Sequence, residues 1–454
     1  MLKLNRREFL RTGSAAATAG ALAASGKTYV LAADQEPPAT RSANDHIQVA
    51  LIGAGGQGQG DASHAVNVPG VKLVAVADCS DSRRTHCQER FGADVHTTRD
   101  YHEILSRSDI DAVIIATPDF WHKTAAVDAM NAGKDVYLEK PMIHLYSDGP
   151  EIIETARKTN RILQVGSQRV SSLTHKKGQE LYKSGALGQL VAVESWWDRT
   201  PYDPGGAFNV TIPDDLTPET VDWDRWQGST PKVPFNANYF LQWRKWKEYG
   251  SGVAGDLFVH LFSGLHLVTG SLGPTRAVAM GGIRYWKDGR DMPDVLLGTF
   301  DYPEGFDLHL RVNFVQGAPE NEGLVLVGSE GVMKISGESV SLARAPKPAY
   351  PPTYGLQSFS KATQEQYMAE YHKKYPDMHP ASETTLAQET YTVPEDYSDS
   401  YDHMKNFCDS VRSRKPVVED PTFGFRAAGA ALLANVSYAE GRIVKWDPQH
   451  MKMV

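Results

Sequence analysis

The stretch Ile47-Gln48-Val49-Ala50-Leu51-Ile52-Gly53-Ala54-Gly55-Gly56-Gln57-Gly58 runs an apolar segment into a glycine-rich turn, and a second apolar run, Val71 to Ala77, ends in Asp78. G-x-G-x-x-G alone is a weak signal. Here a strand precedes it, a helix-compatible stretch follows, and a carboxylate closes the next strand about twenty residues on, which together make a dinucleotide fingerprint. Gly53 permits the tight turn, Gly55 lets the backbone approach a pyrophosphate, and Gly58 lets the helix pack close to the sheet. Gly56 and Gln57 open that helix, whose free N–H groups face the phosphates. Asp78 is placed to accept the ribose hydroxyls and to repel the extra phosphate of NADP, so NAD is expected, with NADP as the alternative. Arg83 and Arg84 either weaken that preference or are exposed first-turn helix residues.

Strand and helix signals then alternate as a doubly wound parallel sheet requires. A helical stretch reaches Phe91. Ala112 to Ala116 is a fully apolar strand ended by Thr117-Pro118-Asp119-Phe120-Trp121-His122, a helix from about Lys123 to Asn131 stops at Gly133, and Asp135 to Leu138 runs into Glu139-Lys140-Pro141. A further helix and the strand Ile162 to Val165 finish the domain near Gly166. Ligands of open α/β sheets bind outside the carboxyl ends of the strands, and Thr117, His122 and Lys140 all fall at such ends.

The chain opens with an address. Paired Arg6 and Arg7 precede a short Ala-rich stretch, with small-residue cleavage sites at Ala21-Leu22-Ala23 and Val30-Leu31-Ala32, which reads as a twin-arginine signal and implies export to the periplasm by that machinery. The expected organisation is a signal over residues 1–33, a linker over 34–45, an NAD(P)-binding domain over 46–166 and a second domain over 167–454. Export of a folded protein allows the nucleotide to be bound beforehand, so tight cofactor retention is expected. With 454 residues, 22% charged and a net charge of −8, the composition fits two soluble domains and argues against nucleic acid or anionic lipid as partners. Cys79, Cys87 and Cys408 are too few and too scattered for a disulfide framework or a zinc site, and no metal is expected; all three read as small buried apolar residues.

On Gly53 to Gly58, Thr117-Pro118-Asp119 with His122, Glu139-Lys140-Pro141, and Asp256-Leu257-Phe258-Val259-His260, the chain resembles the glucose-fructose oxidoreductase, inositol dehydrogenase and rhizopine catabolism group, called Gfo/Idh/MocA. The resemblance runs from about Ile47 to the C-terminus. It implies an α/β fold: an N-terminal Rossmann domain followed by an α+β domain whose open, mostly antiparallel sheet carries the substrate pocket and commonly the contact of a homo-oligomer. The second half supports this with alternating segments at Leu190 to Trp197, Thr275 to Tyr285, Val295 to Tyr302, Asp307 to Val315 and Leu324 to Val327. A long insertion, Thr200 to Ser251, holds Trp223, Trp226, Tyr239, Phe240, Trp243, Trp246 and Tyr249; these read either as a carbohydrate pocket or as ordinary packing. Ala345 to Tyr397 reads as an oligomerisation arm or a lid.

Hydride removal from a secondary alcohol leaves a proton that a base must take and rewards a positive donor near the oxygen. Lys140 and His260 suit both tasks. Asp256 and His260, four apart on a helix expected from about Ala254 to Val268, would share a face, with Asp256 gripping substrate or orienting the imidazole. The resemblance implies that Lys140, Asp256 and His260 form the catalytic group. Thr117, Pro118, His122, Glu139 and Lys140 join the glycine turn and Asp78 as cofactor-binding candidates, and Gln168, Arg169, Trp243 and Arg244 are candidates for substrate contact. His266 is expected to pack.

Two functions from different classes follow. One is an NAD(P)-dependent oxidoreductase acting on a secondary hydroxyl of a sugar, sugar alcohol or glycoside. The other is a glycoside-cleaving enzyme in which bound NAD is reduced and restored within one cycle of oxidation and elimination. The family branch that hydrolyses N-acetylgalactosaminides departs from Glu-Lys-Pro, whereas this chain keeps it, which favours plain oxidoreduction. A non-catalytic reading would predict loss of the lysine or the histidine; neither is lost.

Overall fold

The computed structural model describes residues 27–32, 46–344, 354–376 and 388–454. Most of the segment read as a signal, its paired arginines included, and all of the linker lie outside the described residues, as does much of Ala345 to Tyr397. The first described strand, β1 (Lys27–Val30), pairs in parallel with a strand near the C-terminus. Cleavage after Ala23 would leave it in place; cleavage after Ala32 would remove it.

The next six strands are β2 (Ile47–Ile52), β3 (Val71–Ala77), β4 (His96–Thr98), β5 (Ala112–Ile115), β6 (Asp135–Glu139) and β7 (Leu163–Gly166). They form one parallel sheet in the order β4-β3-β2-β5-β6-β7, the doubly wound arrangement whose order reverses between β2 and β5. Strands β5 and β6 are buried along their whole length because helices cover both faces, which is why they read as continuous apolar runs. Helix α1 (Gly56–Asn67) starts directly at the glycine turn. Gly53 sits at φ +93°, and a Cβ on Gly58 would lie 2.1 Å from the Gly53 carbonyl oxygen, so the turn and the helix–strand approach both require glycine.

The second sheet has eleven strands: β1 together with β8 (Leu190–Asp198), β9 (Arg276–Gly282), β10 (Val295–Asp301), β11 (Asp307–Asn313), β12 (Asn321–Gly328), β13 (Gly331–Ile335), β14 (Ser339–Arg344), β15 (Gln388–Thr392), β16 (Val444–Asp447) and β17 (Lys452–Met453). Their order is β1-β15-β14-β13-β12-β8-β11-β10-β9-β16-β17. All pairs are antiparallel except β11 with β8 and β1 with β15. The fold is therefore a Rossmann domain joined to a mostly antiparallel α+β domain. Strands β13 to β15 have no counterpart in the sequence reading; β13 and β14 are short, and β15 gains its partners only from β14 and β1. One face of the sheet carries apolar side chains into the core, visible as the alternating burial of β9 and β11. Helices α2 (Val259–Thr269) and α3 (Pro421–Glu440) pack into this core.

The expected domain boundary near residue 166 is crossed once more. The helix Asp399–Ser413 sends Met404, Phe407 and Cys408 into the same apolar cluster as Ile47, Val49 and Leu51 of β2 and Ala62 of α1. Its apolar stripe needs a partner, and the open side of α1 provides one. Among the described residues no helix is long and apolar enough to cross a membrane.

Candidate active site

At the carboxyl ends of β2, β3 and β5 lies a cleft of about 580 Å³ walled by Gly53, Gly55, Gly56, Gln57, Asp78, Thr117 and Pro118. Helix α1 has no side-chain cap at its N-terminus and no acidic residue in its first turn. Space is open where a Cβ of Gly56 would stand, and the nearest atom to a Cβ on Gly55 is 3.9 Å away. An uncapped helix end with open space above it suits a pyrophosphate. The Asp78 carboxylate accepts from Ala54 N at 2.7 Å and Ser80 N at 2.8 Å, so the strand end that presents it also fixes it against the glycine turn. The Thr117 hydroxyl is buried without a protein partner at the cleft wall. These residues fit a dinucleotide.

His122, Glu139 and Lys140 do not line this cleft. His122, 1% exposed, faces the Pro141 carbonyl with Nδ1 at 2.7 Å and the Thr117 carbonyl with Nε2 at 3.0 Å, tying together the loops that follow β5 and β6. Burial lowers its pKa. It supports the cleft from beneath because it opens the helix His122–Asn131 with its ring turned under the loop. Glu139 is also buried; it accepts from Gln57 Nε2 at 3.3 Å, Gln168 Nε2 at 3.2 Å and Lys140 N at 3.1 Å. Burial pushes its carboxyl up to about 7 against the pull of Lys140, and Asp61 beside it is raised by burial and by Glu139. Gln168 is thus a brace for Glu139 rather than part of the cleft wall.

Lys140 follows directly at the end of β6. Its Nζ donates to the Asp256 carboxylate at 2.8 Å and to the Asp256 carbonyl at 2.9 Å, and Arg244 Nε donates to the same carboxylate at 3.1 Å. Burial alone would raise the Asp256 carboxyl, but the charges of Lys140, Arg244 and Arg199 outweigh it and hold the group well below the usual carboxylate range. Arg244 and Trp243 both line the cleft, with the guanidinium 4.2 Å from the indole centroid, so the ion-pair cluster adjoins the cleft through Arg244.

The single helix expected over Ala254 to Val268 is in fact a π-helical turn, Ala254–Phe258, continued by α2. The wider turn changes the angle between residues four apart, and such turns recur at functional sites. Asp256 points to Lys140 and Arg244, while His260 lies against Trp197, ring centroids 5.8 Å apart, and no hydrogen bond joins it to Asp256. Burial, reinforced by Lys140 and Arg169, holds the His260 imidazole well below its ordinary pKa. The ring is therefore neutral near pH 7. Arg169 lies on the same side, ion-paired with Glu322 and, at 3.4 Å, with Asp399. His266 packs in the core with Nε2 3.0 Å from the Tyr302 hydroxyl.

The insertion supplies residues that the sequence reading did not place at the cofactor. Val210, Thr211, Arg225, Trp226, Phe240 and Leu241 form the cleft wall opposite Asp78. Trp223, Trp226, Phe240 and Tyr249 form a buried cluster behind it, so most of these aromatics do pack, but at the nucleotide end. The density of tryptophan was the available signal; its location depended on contacts across the two domains. Cys79 also differs from expectation: it is partly buried and lines the cleft, whereas Cys87 and Cys408 are buried.

Residues 47–167 match the sequence model of the Gfo/Idh/MocA oxidoreductase family, NAD-binding Rossmann fold, and residues 217–334 match the model of the GFO/IDH/MocA C-terminal domain. The chain belongs to the Gfo/Idh/MocA family. It is 31% identical to inositol 2-dehydrogenase of Rubrobacter xylanophilus over 196 residues, 41% of this chain and 53% of that protein. It is 30% identical to a glycosyl hydrolase family 109 protein of Shewanella over 210 residues, 43% of this chain and 46% of that protein. The chain thus spans about half the length of the curated relatives it matches. Levoglucosan dehydrogenase in complex with NADH and levoglucosan superposes with a TM-score of 0.62 at 17% identity, covering 88% of this chain and 99% of that one. GenD2 from gentamicin A biosynthesis in complex with NAD superposes with the same score at 18% identity, covering 88% and 97%. These likenesses show a shared fold.

Proposed function

We propose that the protein oxidises a secondary hydroxyl of a sugar, sugar alcohol or glycoside, or reduces the corresponding ketone. The observation that carries this reading is the Lys140–Asp256–Arg244 cluster adjoining the nucleotide cleft at the end of β6. NAD, when bound, supplies the hydride acceptor. Lys140, held in place by Asp256, presents a cationic donor to the carbinol oxygen as negative charge develops there, and neutral His260 takes the proton. Arg244 and Trp243 offer a hydrogen-bonding group and an aromatic face to the ring being oxidised.

At the adenosine end the arginines already have carboxylate partners: Arg83 with Asp78 at 3.7 Å, Arg99 with Asp81 at 2.6 Å and Arg225 with Asp100 at 2.8 Å. None of these three is left uncompensated for an added phosphate, which supports NAD over NADP. Loading the purified protein with NAD and presenting polyols and glycosides one at a time tests the function. A rise in the reduced-nicotinamide absorbance is expected with at least one carbohydrate, and no rise with any would refute the reading. The likeness to the Shewanella protein favours keeping glycoside cleavage as the second reading; it requires a released aglycone with no net reduction of NAD at the end of the cycle.

The outer face of the large sheet exposes Val278, Met280 and Leu297 beside Trp196. We propose that a second copy of the chain covers it, since contiguous apolar surface of this kind marks an interface. A monomer mass in solution would contradict this. The proposed location is the periplasm. Export that survives replacement of Arg6 and Arg7 by lysine would remove the twin-arginine assignment.

A further inference from the structure

We infer that residues 210–243 of the insertion are a cofactor clasp, which closes over the adenosine half of the dinucleotide and keeps it bound through successive turnovers. The inference rests on the reading that the cleft holds NAD. Its ground is that the wall opposite Asp78 comes from the second domain and is joined to the first at several separate points around the cleft. A backbone bridge pairs Ser80 with Val221: Asp81 N donates to the Thr220 carbonyl and Asp222 N to the Cys79 carbonyl, each at 2.9 Å. Arg225 forms its ion pair with Asp100 of the first domain, and Arg99 Nη2 donates to the Glu219 carbonyl at 3.3 Å. Trp121 Nε1 donates to the Trp226 carbonyl at 2.8 Å, and its ring fills the space beside Gly228, where a Cβ would stand 2.6 Å from it. Over the cleft itself the Arg83 guanidinium lies 4.8 Å from the Phe240 ring centroid.

These contacts fall in the stretch after β3, directly after β4 and in the loop after β5, all at the carboxyl ends of strands in the sheet, where a nucleotide binds. Behind them the clasp is stiffened by Trp223 stacked on Trp226, centroids 4.6 Å apart, and by Phe120 set edge-on to Trp226 at 5.5 Å. A nucleotide bound against one domain alone leaves by breaking its own contacts. Here departure also requires the bridge, the ion pair and the Trp121 hydrogen bond to open, and a release step gated by protein opening is slow. The clasp therefore acts on the dissociation rate.

The test is exchange of bound NAD for isotopically labelled NAD in the purified full-length protein, with nucleotide quantified after denaturation. Native protein is expected to keep near-stoichiometric nucleotide through gel filtration and to exchange it at least tenfold more slowly than it turns over. Arg225→Met combined with Trp121→Phe removes two of the staples and is expected to speed exchange of bound NAD tenfold or more. Arg225→Lys with Trp121 intact keeps the charge and is expected to restore slow exchange. Native exchange as fast as turnover, or equal exchange in the double variant, overturns the clasp. Should the double variant fail to fold, the native exchange rate alone still decides. Retained NAD that no carbohydrate reduces would sink the proposed activity but leave the clasp standing; free exchange with normal reduction would do the reverse.

Discussion

The cleft and the ion-pair cluster that adjoins it through Arg244 are built by different means. The pyrophosphate end is made of backbone: a glycine at φ +93°, a second glycine whose Cβ has no room, and an uncapped helix. The cluster is made of side chains brought together from β6, the insertion and a π-helical turn. Backbone requirements select particular residues at fixed spacing and so are written locally in the chain. Side-chain clusters depend on how distant segments meet, and their sequence trace is only a residue type at each position.

This contrast is sharpest under mutation. Gly58→Val should cause the largest effect, because its Cβ would lie 2.1 Å from the Gly53 carbonyl oxygen and the branched side chain adds further overlap. NAD binding measured by calorimetry is expected to fall below detection, whereas binding as tight as that of native protein would show that the turn tolerates displacement. Asp78→Asn keeps one acceptor oxygen but removes the charge. Since hydrogen bonds to charged groups contribute roughly 1.5–3 kcal/mol, NAD affinity should drop about tenfold or more while NADP affinity changes less. An unaltered ratio of the two affinities would mean that the ribose is read by another residue.

The smallest effect is on stability and belongs to the brace beneath the cleft. Glu139 has its pKa raised from 4.5 to about 7 by burial, so the folded state holds a proton that the unfolded chain releases. Its contribution is fully present below pH 4.5 and is lost as pH rises to about 7. Glu139→Gln should remove that part of the slope, narrowing the loss of melting temperature between pH 5 and pH 8. An identical slope in native and variant protein would show that the group does not titrate there.

The same division explains what could be read from the chain before its structure. Five of the six strands of the first sheet and the glycine turn follow from apolar runs and turn residues, whereas β4, His96–Thr98, has no apolar run to mark it; five strands of the second sheet follow from alternation. Strand β15 and the return of Phe407 to the first core were not legible, since each is stabilised by residues more than forty positions away. Lys140 and Asp256 were legible as residue types at plausible places, but their direct pairing and the inclusion of Arg244 were not. A π-helical turn stands where a regular helix was expected, and the Asp256 carboxylate accepts hydrogen bonds from Lys140 and Arg244. The aromatics of the insertion had two open readings, and the structure sets Trp226, Phe240 and Trp243 in the cleft wall with Trp223 and Tyr249 packed among them.

If Lys140 and His260 act on the carbinol oxygen, single-turnover reduction of bound NAD by a reactive carbohydrate is where their loss is felt, because this isolates hydride transfer from product release. Lys140→Met and His260→Ala are each expected to slow that step by roughly a hundredfold to ten-thousandfold, the usual range for a positioned acid or base, with NAD still bound. Single-turnover rates equal to those of native protein in both variants would contradict the assignment and leave only the fold.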